Sequence, residues 1–182
     1  GLAVANTGLN QSPDPLAIYG DEIRFDVTRN GQPVGWHKTT FAENGNELDV
    51  LSVFDLKIDF LFFTALRFRY ESAAYWRNGA LERLKARTDD DGTRSSFEAV
   101  REGSGYVIES ERETYSTRGP VYPTDHWNPA VLRQDRVLNT LTGRINEVRI
   151  TPVDRENVET ERGPVMATRY AYTGELETEV WY

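Results

Sequence analysis

The sequence predicts a mainly β fold: a long antiparallel up-and-down meander curled into a half-open barrel, with one short helical segment as plug or lid. Three observations predict it. Apolar residues alternate with polar ones over long stretches, the period of two that a half-buried strand requires. Asn-Gly or Asp-Gly dipeptides punctuate those stretches at Asn30-Gly31, Asn44-Gly45, Asn78-Gly79 and Asp91-Gly92, where a tight hairpin turn tolerates positive φ. The alternation breaks once, at Thr124-Asp125-His126-Trp127-Asn128-Pro129, which reads as a helix start.

The elements follow in order. Residues 1–18 read as a flexible tail, small and polar with Pro13 and Pro15, and residues 19–182 as a single β domain. Ile23, Phe25 and Val27 alternate with Arg24, Asp26 and Thr28 on the first strand. The chain returns from Val34 to Phe41, with Val34 and Trp36 on one face and His37 on the other. Leu48, Val50, Phe54, Leu56, Ile58 and Phe60 then share a face whose only polar member is Ser52. At ~3.3 Å per residue that strand reaches roughly 40 Å, long enough to demand a bend or a bulge. A tight reversal near 59–63 leads to Leu66, Phe68 and Tyr70, again at alternate positions. Strands follow at 81–88, 94–101 and 106–113, the last after Ser104-Gly105. The helical insertion near 125–140, centred on Trp127 to Leu138, closes by Gly143, and strands resume at 144–152, 165–172 and 176–182. No repeat or linker divides the domain.

Composition excludes several functions. With no cysteine among 182 residues, disulfides, thiolate metal sites and a cysteine nucleophile are absent. Twenty-nine acidic residues against 21 basic ones give a net charge of -8. That balance opposes sequence-independent nucleic-acid binding and docking on anionic lipid. No apolar run approaches the ~20 residues of a membrane-spanning helix, so no integral membrane segment is expected.

Few residues invite catalysis. His37 and His126 are the only histidines, too few for a zinc site of ordinary spacing, and no nucleophile elbow accompanies them. Asp89-Asp90-Asp91-Gly92 with Glu98 matches part of a calcium loop, but Arg87 falls where the first carboxylate belongs. A hairpin tip accounts for it better. Glu109, Glu111 and Glu113, like Glu175, Glu177 and Glu179, share one face of a strand and read as solvated. No catalytic residue, metal ligand or cofactor is therefore assigned. The aromatic stripe is the functional candidate: Trp36, Phe54, Phe60, Phe68, Tyr70 and Trp76 as lining, with Phe25 beside them and Trp127 in the plug. Such a stripe is either the core itself or the wall of an apolar cavity.

Several separated phrases carry a family resemblance. They are Tyr19-Gly20, Gly31-Gln32-Pro33-Val34-Gly35-Trp36-His37, Tyr75-Trp76-Arg77-Asn78-Gly79-Ala80-Leu81, Thr88-Asp89-Asp90-Asp91-Gly92, Trp127-Asn128-Pro129 and Leu138-Asn139-Thr140-Leu141-Thr142-Gly143. Together they resemble a proteobacterial family of exported proteins, domain-of-unknown-function family 6134, over most of residues 19–182. The resemblance implies a periplasmic protein whose export signal has been removed, and it implies no activity. More distantly the pattern resembles the curled-sheet periplasmic lipoprotein carriers and lipid binders. The expectation is a periplasmic, non-enzymatic binding or carrier protein for an apolar or amphiphilic, lipid-like ligand. Two alternatives stand beside it: an envelope module with a filled core that binds a protein partner, and a lipocalin-like enzyme with a His and carboxylate site.

Overall fold

The computed structural model describes residues 14–60 and 63–182, with side chains 60–63 outside the description. Among these residues, twelve antiparallel strands form two sheets. The first runs in chain order through β1 (Glu22–Arg29), β2 (Gln32–Asn44), β3 (Glu47–Phe60), β4 (Phe63–Arg77), β5 (Ala80–Asp90), β6 (Thr93–Glu102), β7 (Gly105–Ser110) and β8 (Thr114–Arg118). This is the expected meander, and it curls without closing, so β1 and β8 remain its edges. The second sheet has the order β12 (Thr178–Trp181), β11 (Val165–Gly174), β10 (Arg144–Val158) and β9 (Arg136–Asn139).

Local chemistry sets the hairpins. Asn30-Gly31, Asn78-Gly79 and Asp91-Gly92 each place two successive residues at positive φ, between 51° and 91°. That left-handed pair matches the twist of the flanking strands. At the tip between β5 and β6, Asp89 accepts from the Gly92 amide at 2.8 Å and pairs with Arg94 at 3.0 Å. β3 and β4 run 14 and 15 residues, and the bulge expected of so long a strand falls where the register shifts after Ile58.

Three expectations are corrected. Residues 15–18 are not tail: Pro15–Tyr19 form a short helix, α1, because Asp14 accepts from the Leu16 and Ala17 amides at 2.9 and 3.3 Å. The predicted tail over 1–13 lies outside the described residues. The helical insertion is a five-residue 3₁₀ turn, Pro129–Arg133, capped by Asn128 rather than by Thr124 or Asp125. Residues 136–139 are not helix but β9, since Val137 and Leu138 are fully buried and pair with Asn146 and Ile145 of β10. Among the described residues, no helix is long and apolar enough to cross a membrane.

The segment after β8 crosses from one sheet to the other. Pro123 bridges Leu138 in parallel, with Leu138 donating to Tyr122 at 2.9 Å and Thr124 donating to Leu138 at 3.0 Å. Tyr115 locks the junction: its hydroxyl donates to the Gly143 carbonyl at 2.7 Å and accepts from the Ile145 amide at 3.1 Å. Gly143 itself has φ 71°, and a Cβ there would lie 2.6 Å from the Phe97 ring. Along this path Trp127 enters the concave face of the first sheet and is 2% exposed. Trp127→Ala should therefore lower stability by about 3–5 kcal/mol, the range for emptying a core aromatic site. Trp36→Ala, on the opposite face, should lower it by less than ~1 kcal/mol. Urea unfolding midpoints read both.

Candidate functional site

Strand register decides which side chains meet on the concave face. Val50 of β3 lies between Phe41 and Ala74, Ser52 between Thr39 and Ser72, and Phe54 between His37 and Tyr70. The face therefore carries odd-numbered residues from β2 and even-numbered ones from β3 and β4. Its middle is polar but satisfied, with the buried Thr39 and Ser52 hydroxyls 2.9 Å apart.

Either side of that band the aromatics form two groups. At the filled end, Trp127 meets Trp76 and Phe41 edge-on, at ring distances of 5.3 and 5.6 Å. Tyr19 stacks on Phe41 at 6.2 Å, and its hydroxyl donates to the Trp127 carbonyl at 3.2 Å. At the open end a row crosses four strands, Phe25–His37–Phe54–Phe68, with successive ring distances of 6.3, 5.9 and 5.7 Å. Phe54 and Phe68 are half-buried, whereas Phe25 is 59% exposed. Burial holds the His37 imidazole below its usual pKa, so the row is uncharged at neutral pH.

Of the residues singled out in sequence, Phe54, Phe68, Tyr70, Trp76 and Trp127 come to this face. The structure divides them: Trp76 and Trp127 close the filled end, and Phe54 and Phe68 line the open one. Trp36 is a correction, because it lies on the convex face with the Arg24 guanidinium 5.4 Å from its ring. The cause is a single bulge. Thr28 pairs with Pro33, but Val27 pairs with Gly35, so Val34 is extra and every later residue of β2 changes face. His37 thereby takes the place expected of Trp36. The side chain of Phe60 lies outside the described residues. Opposite, the convex face is polar, with Arg69 pairing Asp55 and Glu71 at 2.6 and 2.7 Å.

A second group was not legible in sequence. Asp125, His126, Tyr172 and Tyr182 converge where the crossing segment meets the second sheet. His126 lies edge-on to Tyr172 at 5.4 Å and takes φ 58°, a strained conformation worth roughly 1–3 kcal/mol. Asp125 accepts from the Trp127 indole N–H at 3.1 Å. Asp125 keeps some exposed surface as a residue, yet burial pushes its carboxyl up to about 7. Burial, with the His37 charge adding, holds the His126 imidazole down to about 4. Burial also raises Tyr172 to about 12 and Tyr182 further. Among the described residues, no three His, Asp or Glu side chains gather as metal ligands would.

The chain belongs to the family described as Domain of unknown function (DUF6134), whose model matches residues 25–182. No curated protein and no solved structure matches it.

Asp125 and His126 titrate with opposite effects on stability. The folded Asp125 carboxyl keeps a proton that the unfolded chain releases near 3.8, so its contribution is full at low pH and lost as pH rises through 7. The His126 contribution is full above 6.5 and lost as pH falls through 4. Between 4 and 6.5 the two slopes oppose. Asp125→Asn should therefore steepen the rise of stability with pH across that window, and His126→Asn should tilt it downward. Each change approaches about 1.4 kcal/mol per pH unit, read as the difference from wild type in urea titrations.

Proposed function

We propose that the chain is a non-enzymatic binding or carrier protein of the periplasm. Its ligand is apolar or amphiphilic and lipid-like, and it lies on the open half of the concave face. The observation that carries this reading is the aromatic row that leaves the core and continues to an exposed end. Phe54 and Phe68 pack against the core, while Phe25 keeps 59% of its surface. Leu56, Ile58 and Leu66 continue the same face along β3 and β4, each half-buried.

A run of this kind marks an interaction site when it is contiguous and unshared with charge. Here contiguity comes from strand pairing, and the one titratable member, His37, is held neutral. The rings offer flat apolar walls that a chain or ring system can lie along without losing a hydrogen bond. On the convex face the same strands carry ion pairs, which gives the sheet one wet side and one apolar side. The periplasmic part of the proposal draws on the resemblance to exported proteins.

Titration with a fluorescent apolar probe tests the reading. Wild type should bind it saturably near one equivalent. Phe54→Ala should weaken binding about tenfold or more, since burying a phenyl ring is worth about 1.5–3 kcal/mol. Trp36→Ala should leave binding unchanged. Failure of the wild type to saturate, or equal affinity in Phe54→Ala once both are shown folded, removes the proposal.

A further inference from the structure

β1 is an edge strand, and among the described residues no strand pairs with its outer side. The other edges are guarded. β8, β9 and β12 hold only four or five residues each. The flank of β10 that β9 leaves free carries Pro152 and a register shift before Asp154. Short strands, prolines and bulges all hinder a sheet from adding another strand. β1 has eight residues and no proline, and the bulge beside it lies on β2. Phe25, on its concave side, is 59% exposed.

The ladder to β2 decides which main-chain groups β1 still offers. The Phe41 amide donates to the Asp21 carbonyl at 2.9 Å, and inward-bonding residues alternate along an antiparallel strand. Asp21, Ile23, Phe25 and Val27 therefore bond toward β2, and the amides and carbonyls of Glu22, Arg24 and Asp26 point outward. An added strand has to bond through those.

We propose that the partner of this edge is β1 of a second copy of the chain, running antiparallel about a two-fold axis at Phe25. Outward residues then meet outward residues. Arg24 faces Asp26 of the second copy, Asp26 faces its Arg24, and Glu22 faces its Thr28. On the concave side Phe25 faces Phe25, and Ile23 faces Val27. Aromatic, aliphatic and opposite-charge pairs placed directly across a strand pair all stabilise it. Neighbouring registers fail on charge. With the axis at Arg24, Arg24 would face itself and Glu22 would face Asp26. With the axis at Asp26, that carboxylate would face itself. Like charges directly opposite are destabilising, so the side chains select the Phe25 register. An axis between residues would set inward-bonding groups against outward ones. Within one chain Arg24 and Asp26 are exposed and 3.9 Å apart, so both remain available to a partner.

A two-fold axis of this kind stands perpendicular to the sheet, and the contact is the same patch on both copies. The two eight-stranded sheets join into one, with their concave faces on the same side. The rows Phe25–His37–Phe54–Phe68 meet at Phe25 and become one wall across both chains. That wall stays open on its concave side. The pairing goes beyond the binding reading and needs no ligand.

Sedimentation velocity of the full chain over a concentration series tests it. Wild type should pass from monomer to dimer as concentration rises. Arg24→Asp or Asp26→Arg sets like charges opposite each other at both symmetry-related pairs, and each should weaken the dimer about tenfold or more. The double variant, Arg24→Asp with Asp26→Arg, restores opposite charges and should dimerise within about threefold of wild type. All three variants change exposed side chains, and unchanged urea midpoints should show them folded. A wild type that stays monomeric throughout, single variants that dimerise as wild type does, or a double variant as weak as the singles each overturn the proposal. None of these readouts uses the apolar probe, so failure here and failure of the binding reading are told apart.

Discussion

The docking of Trp127 into the first sheet is the contact on which the remaining geometry depends. Its ring lies edge-on between Trp76 and Phe41, its carbonyl holds Tyr19, and its indole N–H holds Asp125. Burying an aromatic side chain removes roughly 150–250 Å² from water, about 4–6 kcal/mol at ~25 cal/mol per Å². That single insertion fixes three things at once. It covers the concave face at one end, it seats α1 through Tyr19, and it positions the two residues that precede it. Asp125 and His126 are buried because Trp127 draws the segment inward, and their unusual titration follows from that burial.

The strand meander was legible because its signals are local. Asn-Gly and Asp-Gly turns name hairpins by backbone conformation alone, and alternation assigns each face of β3 and β4 correctly. The face of Trp36 was not legible. A two-residue turn at Asn30-Gly31 would pair Phe25 with Trp36, and the bulge at Val34 moves the register by one. Only Pro33, which lacks an amide hydrogen, hints at the irregularity. The helical segment was overextended for a related reason. Val137 and Leu138 are apolar neighbours compatible with either helix or strand, and the deciding contact is with β10.

The polar group around Tyr172 was invisible to sequence on different grounds. Its members lie as far apart as Asp125 and Tyr182, and no motif relates them. Their convergence depends on the second sheet folding over the crossing segment, which the Pro123–Leu138 bridge and the Tyr115 junction enforce. Sequence places His126 beside Asp125 but says nothing of what either side chain meets. What it lacked was the third dimension, which gives Asp125 to Trp127 and His126 to Tyr172.

These pieces divide the concave surface by chemistry. Trp76, Trp127 and Phe41 fill one end, and apolar burial there supplies stability. Thr39, Ser52 and Ser72 cross the middle as small, buried hydroxyl residues. Beyond them the aromatic row lies open, while His126 Nδ1 and the Tyr172 and Tyr182 hydroxyls are enclosed without a hydrogen-bond partner. A protein selected for stability alone would replace those tyrosines with phenylalanine and relax the φ of His126. Strained and unpartnered groups hold stability below its maximum there, while apolar burial around Trp127 supplies it at the filled end.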